Sequence, residues 1–149
     1  MTNGIYGFFG QYRWLSNFHL ANVSFEGVTY ISNEHAYQAA KTLNHSERKW
    51  FSDPRTDSRK AKQLGSVVTM QPNWDTIKYS VMKHINYQKY ANYAYLKEML
   101  LNTGDSYLEE TNTWGDTYWG VCDGKGQNNL GKLLMDIRHN LRVCSSMVE

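Results

Sequence analysis

Residues 30–43, YISNEHAYQAAKTL, read as one short helix with two dissimilar faces. Ser32 or Asn33 is suited to the N-cap, because a short polar side chain there accepts from the first free backbone N–H groups. On a 3.6-residue period Ala36, Ala39, Ala40 and Leu43 fall on one side, and their small side chains let the helix pack closely. Glu34, Tyr37, Gln38 and Lys41 share the same spacing on the other side. Glu34 and Lys41 are two turns apart, about 10 Å along the axis at 1.5 Å per residue. That is too far for an i,i+4 ion pair, yet both side chains reach a ligand lying between them. On pattern alone the ordinary reading is the better one: a helix half buried by its alanines and half solvated.

The chain has 149 residues, the size of one domain with a real core. Aromatic residues make up 14%, with eleven Tyr and five Trp, a composition that suits pockets for planar ligands. A formal charge of +2 is too small to argue for a nucleic-acid-binding surface. Cys122 and Cys144, the only two cysteines, exclude a disulfide scaffold and a cysteine-rich metal site. The opening MTNGIYGFFGQYRW lacks the basic and apolar regions of a signal peptide, and no run approaches a membrane span. A cytoplasmic, non-membrane protein is expected.

Outward from residues 30–43, Val23, Phe25, Val28 and Tyr30 predict short strands turning at Glu26-Gly27. Arg13 to Phe18 is too mixed for a strand. Downstream, Ser46 is expected to cap a helix through Phe51 that Asp53-Pro54 ends. Asp57 or Thr56 caps the next, to about Gly65. Trp74, Ile77, Val81, Met82 and Ile85 make the stripe of a longer helix, and another runs from about Asn92 to Leu101, stopping near Thr103-Gly104. Tyr107 to Thr111 reads as one strand. Leu130, Leu133, Leu134, Ile137 and Leu141 mark the last helix, capped by Asn128 or Asn129. The fold class is mainly α with a few short strands (α+β).

Residues 112–131, NTWGDTYWGVCDGKGQNNLG, hold two Trp, two Asp and five Gly without sustained periodicity. Glycines let backbone approach a ligand and aromatics wall it, and the segment leads into a helix N-terminus that favours an anion. Trp114 and Trp119 suit a pocket as well as packing, and Asp116 also reads as a plain turn-former. Gly126 to Lys132 spells G-x-x-x-x-G-K, but Leu133 stands where Ser or Thr would bind Mg²⁺ and Gly131 lies inside the last helix. It is not a phosphate loop. Nor is Gly124-x-Gly126 a dinucleotide fingerprint. His35 has no His at i+4, so it reads as a structural hydrogen-bonder, and no metal site is expected. Trp74 alone reads as a core anchor.

Taken in order, Leu15-Ser16-Asn17-Phe18, Ser32-x-Glu34-His35-x-Tyr37-Gln38-Ala39-x-Lys41, Trp74 with Val81-Met82, Asp116-x-x-Trp119-Gly120, and Gly124-Lys125-Gly126-x-Asn128-x-Leu130-Gly131-x-x-Leu134-Met135-x-x-Arg138 resemble the NADAR, or YbiA-like, family. The resemblance runs from about residue 8 to residue 142. It implies a compact, mainly helical, single-domain fold over residues 1–149 and an N-glycosidase that cleaves a ribose–nitrogen bond without a cofactor. Members act on phosphorylated ribosylamino-pyrimidine intermediates of riboflavin synthesis or remove ADP-ribose from guanine in nucleic acid. The family positions that carry over are Glu34, Trp74 and Asp116 as the catalytic set, with Lys41 and Trp119 beside them. Arg13, Asn17, Tyr37, Gln38, Trp119, Gly120, Gly126, Asn128 and Asn129 are the expected substrate contacts. Trp114 and Val121-Cys122-Asp123 match no family role.

The residue types fit that chemistry. Breaking an N-glycosidic bond develops positive charge on the anomeric carbon and negative charge on the leaving nitrogen, so a carboxylate and a proton donor are both useful. Glu34 is assigned as carboxylate or base and Asp116 as orienting group or acid, and the order can be reversed. A deprotonated Lys41 could instead attack and pass through a Schiff base. Arg13 and the last helix's N-terminus are candidates for phosphate. The expected partner is a small ribosyl phosphate or ADP-ribosylated nucleic acid, with no obligate protein partner. The lean is towards ADP-ribosyl substrates. Two other classes stay open: a non-catalytic sensor of NAD or ADP-ribose, and a base-stacking nucleic-acid module whose affinity would fall steeply with salt.

Overall fold

A computed structural model describes residues 3–148, except the side chains of residues 147 and 148. In chain order the elements are β1 (Gly4–Tyr6), a 3-10 helix (Gly10–Leu15), β2 (Leu20–Phe25), β3 (Val28–Ser32), α1 (Asn33–Ala40), α2 (His45–Ser52), α3 (Ser58–Leu64), α4 (Trp74–Asn92), α5 (Ala94–Asn102), β4 (Tyr107–Glu109), β5 (Thr111–Asn112), β6 (Val121–Cys122) and α6 (Asn129–Val148). The mainly helical class with a few short strands is the one the sequence predicts. Backbone contacts group the chain into two compact units: Asn17–Lys89, and the segment through Ser16 together with the chain from Tyr90 onward.

In the Asn17–Lys89 unit, β2 and β3 form an antiparallel hairpin. Glu26 (φ 48°) and Gly27 (φ 84°) both take positive φ, the backbone of a tight two-residue turn whose twist matches the strands. Ser32 is the N-cap of α1, its hydroxyl accepting from the His35 N–H at 3.2 Å. Helix α1 packs on the hairpin, α2 and α3 together. That enclosure corrects the half-solvated reading, because every α1 residue is buried, polar face included. The helix also ends at Ala40, so Leu43 lies off it and is 61% exposed. Helix α2 starts earlier than expected. Asn44 is the cap, its Oδ1 accepting from the Ser46 and Glu47 N–H groups at 2.8 and 3.1 Å. Asp57 caps α3 as predicted, and Gly65 closes it.

His35 fixes the start of α1 to the loop before α3. Its Nε2 lies 2.6 Å from the Thr56 carbonyl, which can only accept, so Nε2 carries the proton. Nδ1 is therefore the acceptor for the Ser32 hydroxyl, also at 2.6 Å. Burial lowers the imidazole below its ordinary 6.5, opposed by the Thr56 carbonyl and the Asp57 charge. A depressed folded-state pKa means the unfolded chain binds the proton first as pH falls. The stabilisation from neutral His35 is thus complete above 6.5 and disappears as pH drops from there through the lowered folded value. Denaturant midpoints at pH 8 and pH 5 should fall further in the wild type than in His35→Asn. Equal falls would show that His35 keeps its solution affinity for protons.

In the other unit β1 pairs in parallel with β4, and β5 with β6. All five predicted stripe residues of α6 are buried against this unit. The single strand expected over 107–111 is two, because the Glu110 N–H leaves the ladder for the side chain of Asn128 (3.0 Å) before β5 begins. Asn128, at φ 53°, is therefore not a side-chain cap for α6. Its Nδ2 donates to the Leu108 carbonyl at 2.9 Å and to the Tyr107 hydroxyl at 3.1 Å.

Gly131 lies inside α6, where Ala would ordinarily stabilise by about 1 kcal/mol. Here a Cβ would sit 2.0 Å from the Leu108 carbonyl oxygen and 2.4 Å from the Asn128 amide. The helix or β4 would have to move, at a cost of about 1–3 kcal/mol, so the clash outweighs the helix propensity. Gly131→Ala should lower the thermal midpoint. A raised midpoint would mean that β4 retreats freely.

Candidate functional site

Five of the residues singled out in the sequence come together in the Asn17–Lys89 unit. Glu34, in the first turn of α1, is only 7% exposed. One turn on, the Gln38 Nε2 donates to Glu34 Oε1 at 2.8 Å. Lys41 follows at the C-cap of the same helix, half-buried, with its Nζ 5.6 Å from the centre of the Tyr37 ring. Tyr37 also meets Trp74, at a centroid distance of 5.2 Å and an interplanar angle of 52°. Trp74 opens α4 and is 3% exposed. Amine, phenol and indole thus form one continuous wall, with the carboxylate and amide on the turns beside it.

The electrostatics of this wall are mixed. Burial lowers the proton affinity of the Lys41 amine, the Glu34 carboxylate opposes that, and the charges of Lys78 and Lys62 reinforce it. A lysine ringed by other cations loses its own proton more easily and favours an anion nearby. The same unit carries ten Lys and Arg against six Asp and Glu, whereas the rest of the chain is net acidic.

The start of α1 is fixed by three buried asparagines: Asn17, Asn33, which the sequence offers only as a cap, and Asn86, which it does not single out. The Asn33 Nδ2 donates to Asn17 Oδ1 (3.1 Å) and Asn86 Oδ1 (2.9 Å), and the Asn86 Nδ2 donates to Asn17 Oδ1 (3.2 Å) and the Met82 carbonyl (3.1 Å). The Glu34 N–H donates to the Asn17 carbonyl at 3.0 Å. Asn17, expected to contact substrate, is a buried member of this network. Lys89 was also missed. It is fully buried in α4, and burial pushes its amine down to about 7. The signal was present, since Lys89 stands four residues after Ile85 and so continues the apolar stripe.

The remaining predicted residues belong to the other unit. Asp116 is half-buried, and its Oδ1 accepts from the N–H groups of Tyr118 (3.2 Å) and Trp119 (2.9 Å). Asn112 fixes Asp116 in turn, accepting from its N–H at 3.0 Å and donating to its carbonyl at 2.8 Å. Asp116 is thus the turn-former its sequence allowed, with Oδ2 making no hydrogen bond among the described residues. Trp119 meets Tyr118 edge-on at 4.7 Å. Gly120 and Gly126 serve packing: a Cβ on Gly120 would lie 2.1 Å from the Glu110 carbonyl, and one on Gly126 2.1 Å from the Gly120 carbonyl. Asn129 is the first residue of α6 and donates to the Gln127 side chain at 3.4 Å. Arg13 is exposed on the 3-10 helix. A cavity of about 480 Å³ in this unit is lined by Tyr12, Trp14, Met99 and Asn102 among others, and none of the predicted site residues borders it. Among the described residues no group of three or more His, Cys, Asp or Glu is placed to hold a metal, and no helix is long and apolar enough to cross a membrane.

The sequence profile of the NADAR domain matches residues 5–142. The chain is 33% identical over 137 residues to N-glycosidase YbiA of Escherichia coli strain K12, covering 89% of this chain and 84% of that protein. An N-glycosidase of Nostoc punctiforme is 31% identical over 152 residues, covering 99% and 97% of the two chains. A riboflavin biosynthesis protein of Vibrio vulnificus is 31% identical over 89% of this chain, though over only 36% of its own length. The NMR structure of Escherichia coli YbiA superposes with a TM-score of 0.84 at 31% identity, over 97% of this chain and 89% of that one. A profile match across nearly the whole length, joined to full-length similarity in sequence and in backbone, places this chain in the NADAR family.

Proposed function

We propose that the chain, an N-glycosidase by family, hydrolyses the bond between ribose C1′ and a nitrogen in a phosphate-bearing ribosyl compound. The observation that carries the reading is a buried carboxylate, Glu34, held by an amide donor on a helix that ends in a cation-flanked lysine, beside an aromatic wall. In the reaction the C1′–N bond breaks and its electron pair leaves with the nitrogen, which takes up a proton. A water oxygen bonds to C1′ and gives up a proton. Glu34 stabilises the positive charge at C1′ and takes the proton from water; Asp116 orients the leaving group or protonates it. Exchanging the two carboxylates leaves the balance unchanged.

Trp74 and Tyr37 offer flat surface for a base or sugar. Lys41, flanked by Lys62 and Lys78, suits a phosphate. The eased deprotonation of Lys41 also supports a second route: its amine attacks C1′, expels the base, and releases the opened ribose from a Schiff base by hydrolysis. Two substrate classes fit, ADP-ribose on guanine and a ribosylamino-pyrimidine phosphate. The second accords with the name of the Vibrio vulnificus relative. A mass-spectrometric turnover assay offering both to the protein separates them. Release of ADP-ribose makes nucleic acid the partner; release of the pyrimidine makes the protein a metabolite hydrolase. If neither is cut while ADP-ribose binds, the reading fails and a sensor replaces it.

A further inference from the structure

Gln38 does not face a ligand on equal terms with its neighbours on α1. Its Nε2 is committed to Glu34 Oε1 at 2.8 Å, and its Oε1 is buried with no hydrogen-bond partner. That oxygen points at Gly65, the residue that closes α3: a Cβ built on Gly65 would lie 1.8 Å from Gln38 Oε1 and 2.5 Å from its Cδ. Gly65 is buried and has φ −61° and ψ −20°, ordinary helical backbone that any residue adopts. Glycine is therefore required there by space and not by conformation. An alanine would be comfortable in its own backbone and would fit only if Gln38 moved.

From this geometry we infer that Gln38 is a positioning residue for Glu34 and that Gly65 is its seat. The inference rests on the reading of Glu34 as the catalytic carboxylate. A buried carboxylate has several rotamers and an unfavourable charge. The amide N–H settles both, because it binds the ionised oxygen in one place and favours the charged form. The cost is the orphaned amide oxygen, which faces Gly65 in place of a partner. Packing from α3 thus holds the amide against the carboxylate, so a residue with no polar side chain helps to keep the catalytic group in place beside the Lys41 amine.

The test is the pH profile of kcat/KM on whichever ribosyl substrate the enzyme cleaves, for Gln38→Leu, Gly65→Ala and the pair Gly65→Ala with Gln38→Ala. The Gln38 amide favours the ionised carboxylate, so Glu34 is charged down to lower pH in the wild type. Losing a hydrogen bond to a charged group should move the acid limb up by about one pH unit, read against the wild type. Gly65→Ala should move it in the same direction, since its methyl meets the end of a flexible side chain that can swing away. In the Gln38→Ala background the added methyl finds the space empty, so Gly65→Ala should bring no further shift. Circular dichroism and thermal midpoints confirm that each variant is folded.

An acid limb unmoved in both single variants overturns the inference. So does an equal extra shift from Gly65→Ala with Gln38 truncated, which would mean a general loosening of α3. Glu34→Gln tells this failure from that of the underlying reading. If that variant turns over normally, Glu34 is not the catalytic group. If it is inactive while the limb stays in place, only the positioning role falls.

Discussion

Glu34→Gln will fold like the wild type and lose turnover by about a thousandfold or more, the scale of a lost electrostatic or proton-transferring group in an enclosed site. The substitution keeps the shape of the side chain and an oxygen for the Gln38 amide to bind, so packing has little reason to change. What it removes is the charge that would face the anomeric carbon and the lone pair that would take the proton from water. It also removes an opposite charge that supports the Lys41 amine, whose proton affinity should fall further as a result. Loss of kcat with KM nearly unchanged is the expected pattern, because the carboxylate acts on charge that develops only in the transition state. Wild-type kcat in a folded Glu34→Gln would remove Glu34 from the mechanism.

Trp74→Ala should act on stability and turnover together. The indole is nearly fully buried at the head of α4 and packs against the Tyr37 ring, which the Lys41 amine also meets. Truncating a buried aromatic to Ala costs about 3–5 kcal/mol, a large part of the roughly 5–15 kcal/mol that holds a domain folded. For a chain of this length the thermal midpoint should fall by about 6–20 °C. Below that midpoint the folded enzyme should still turn over poorly, since Tyr37 has lost its backing and Lys41 its fixed neighbour. Trp74→Phe keeps a ring at the contact and should restore most of the stability. Calorimetry with kcat per folded molecule checks both. An alanine variant as stable as the wild type would show that the wall does not depend on Trp74.

The elements that periodicity governs were legible in the sequence. The leucine stripe of α6, the Glu26-Gly27 turn, the Asp57 cap and the start of α4 each follow from a local rule, and the structure has them where those rules put them. The polar face of α1 was less legible. A 3.6-residue pattern shows which side of a helix is apolar, but the other side is buried by residues far along the chain: Trp74 meets Tyr37, and the glycine that makes room for Gln38 is 27 positions after it. The asparagine network is invisible for the same reason. Asn33 reads as a cap, Asn17 as a substrate contact, and Asn86 carries no signal of its own, until the backbone brings the three together. Strand β6 has two residues, too few for any alternation to register. Asn44 and Ser46 are both good caps by type, and only the extended backbone of Asn44 (φ −81°, ψ 116°) selects it.

A single-turnover experiment tests most directly whether Glu34 makes this fold a hydrolase of ribosyl–nitrogen bonds. Enzyme is mixed in excess with a labelled phosphorylated ribosyl substrate and quenched at intervals, and free base is counted against bound, intact substrate. Wild type should release base in full, one per substrate, while Glu34→Gln holds the same substrate uncut. Intact substrate on the wild type at saturation, or equal release by both proteins, would contradict it.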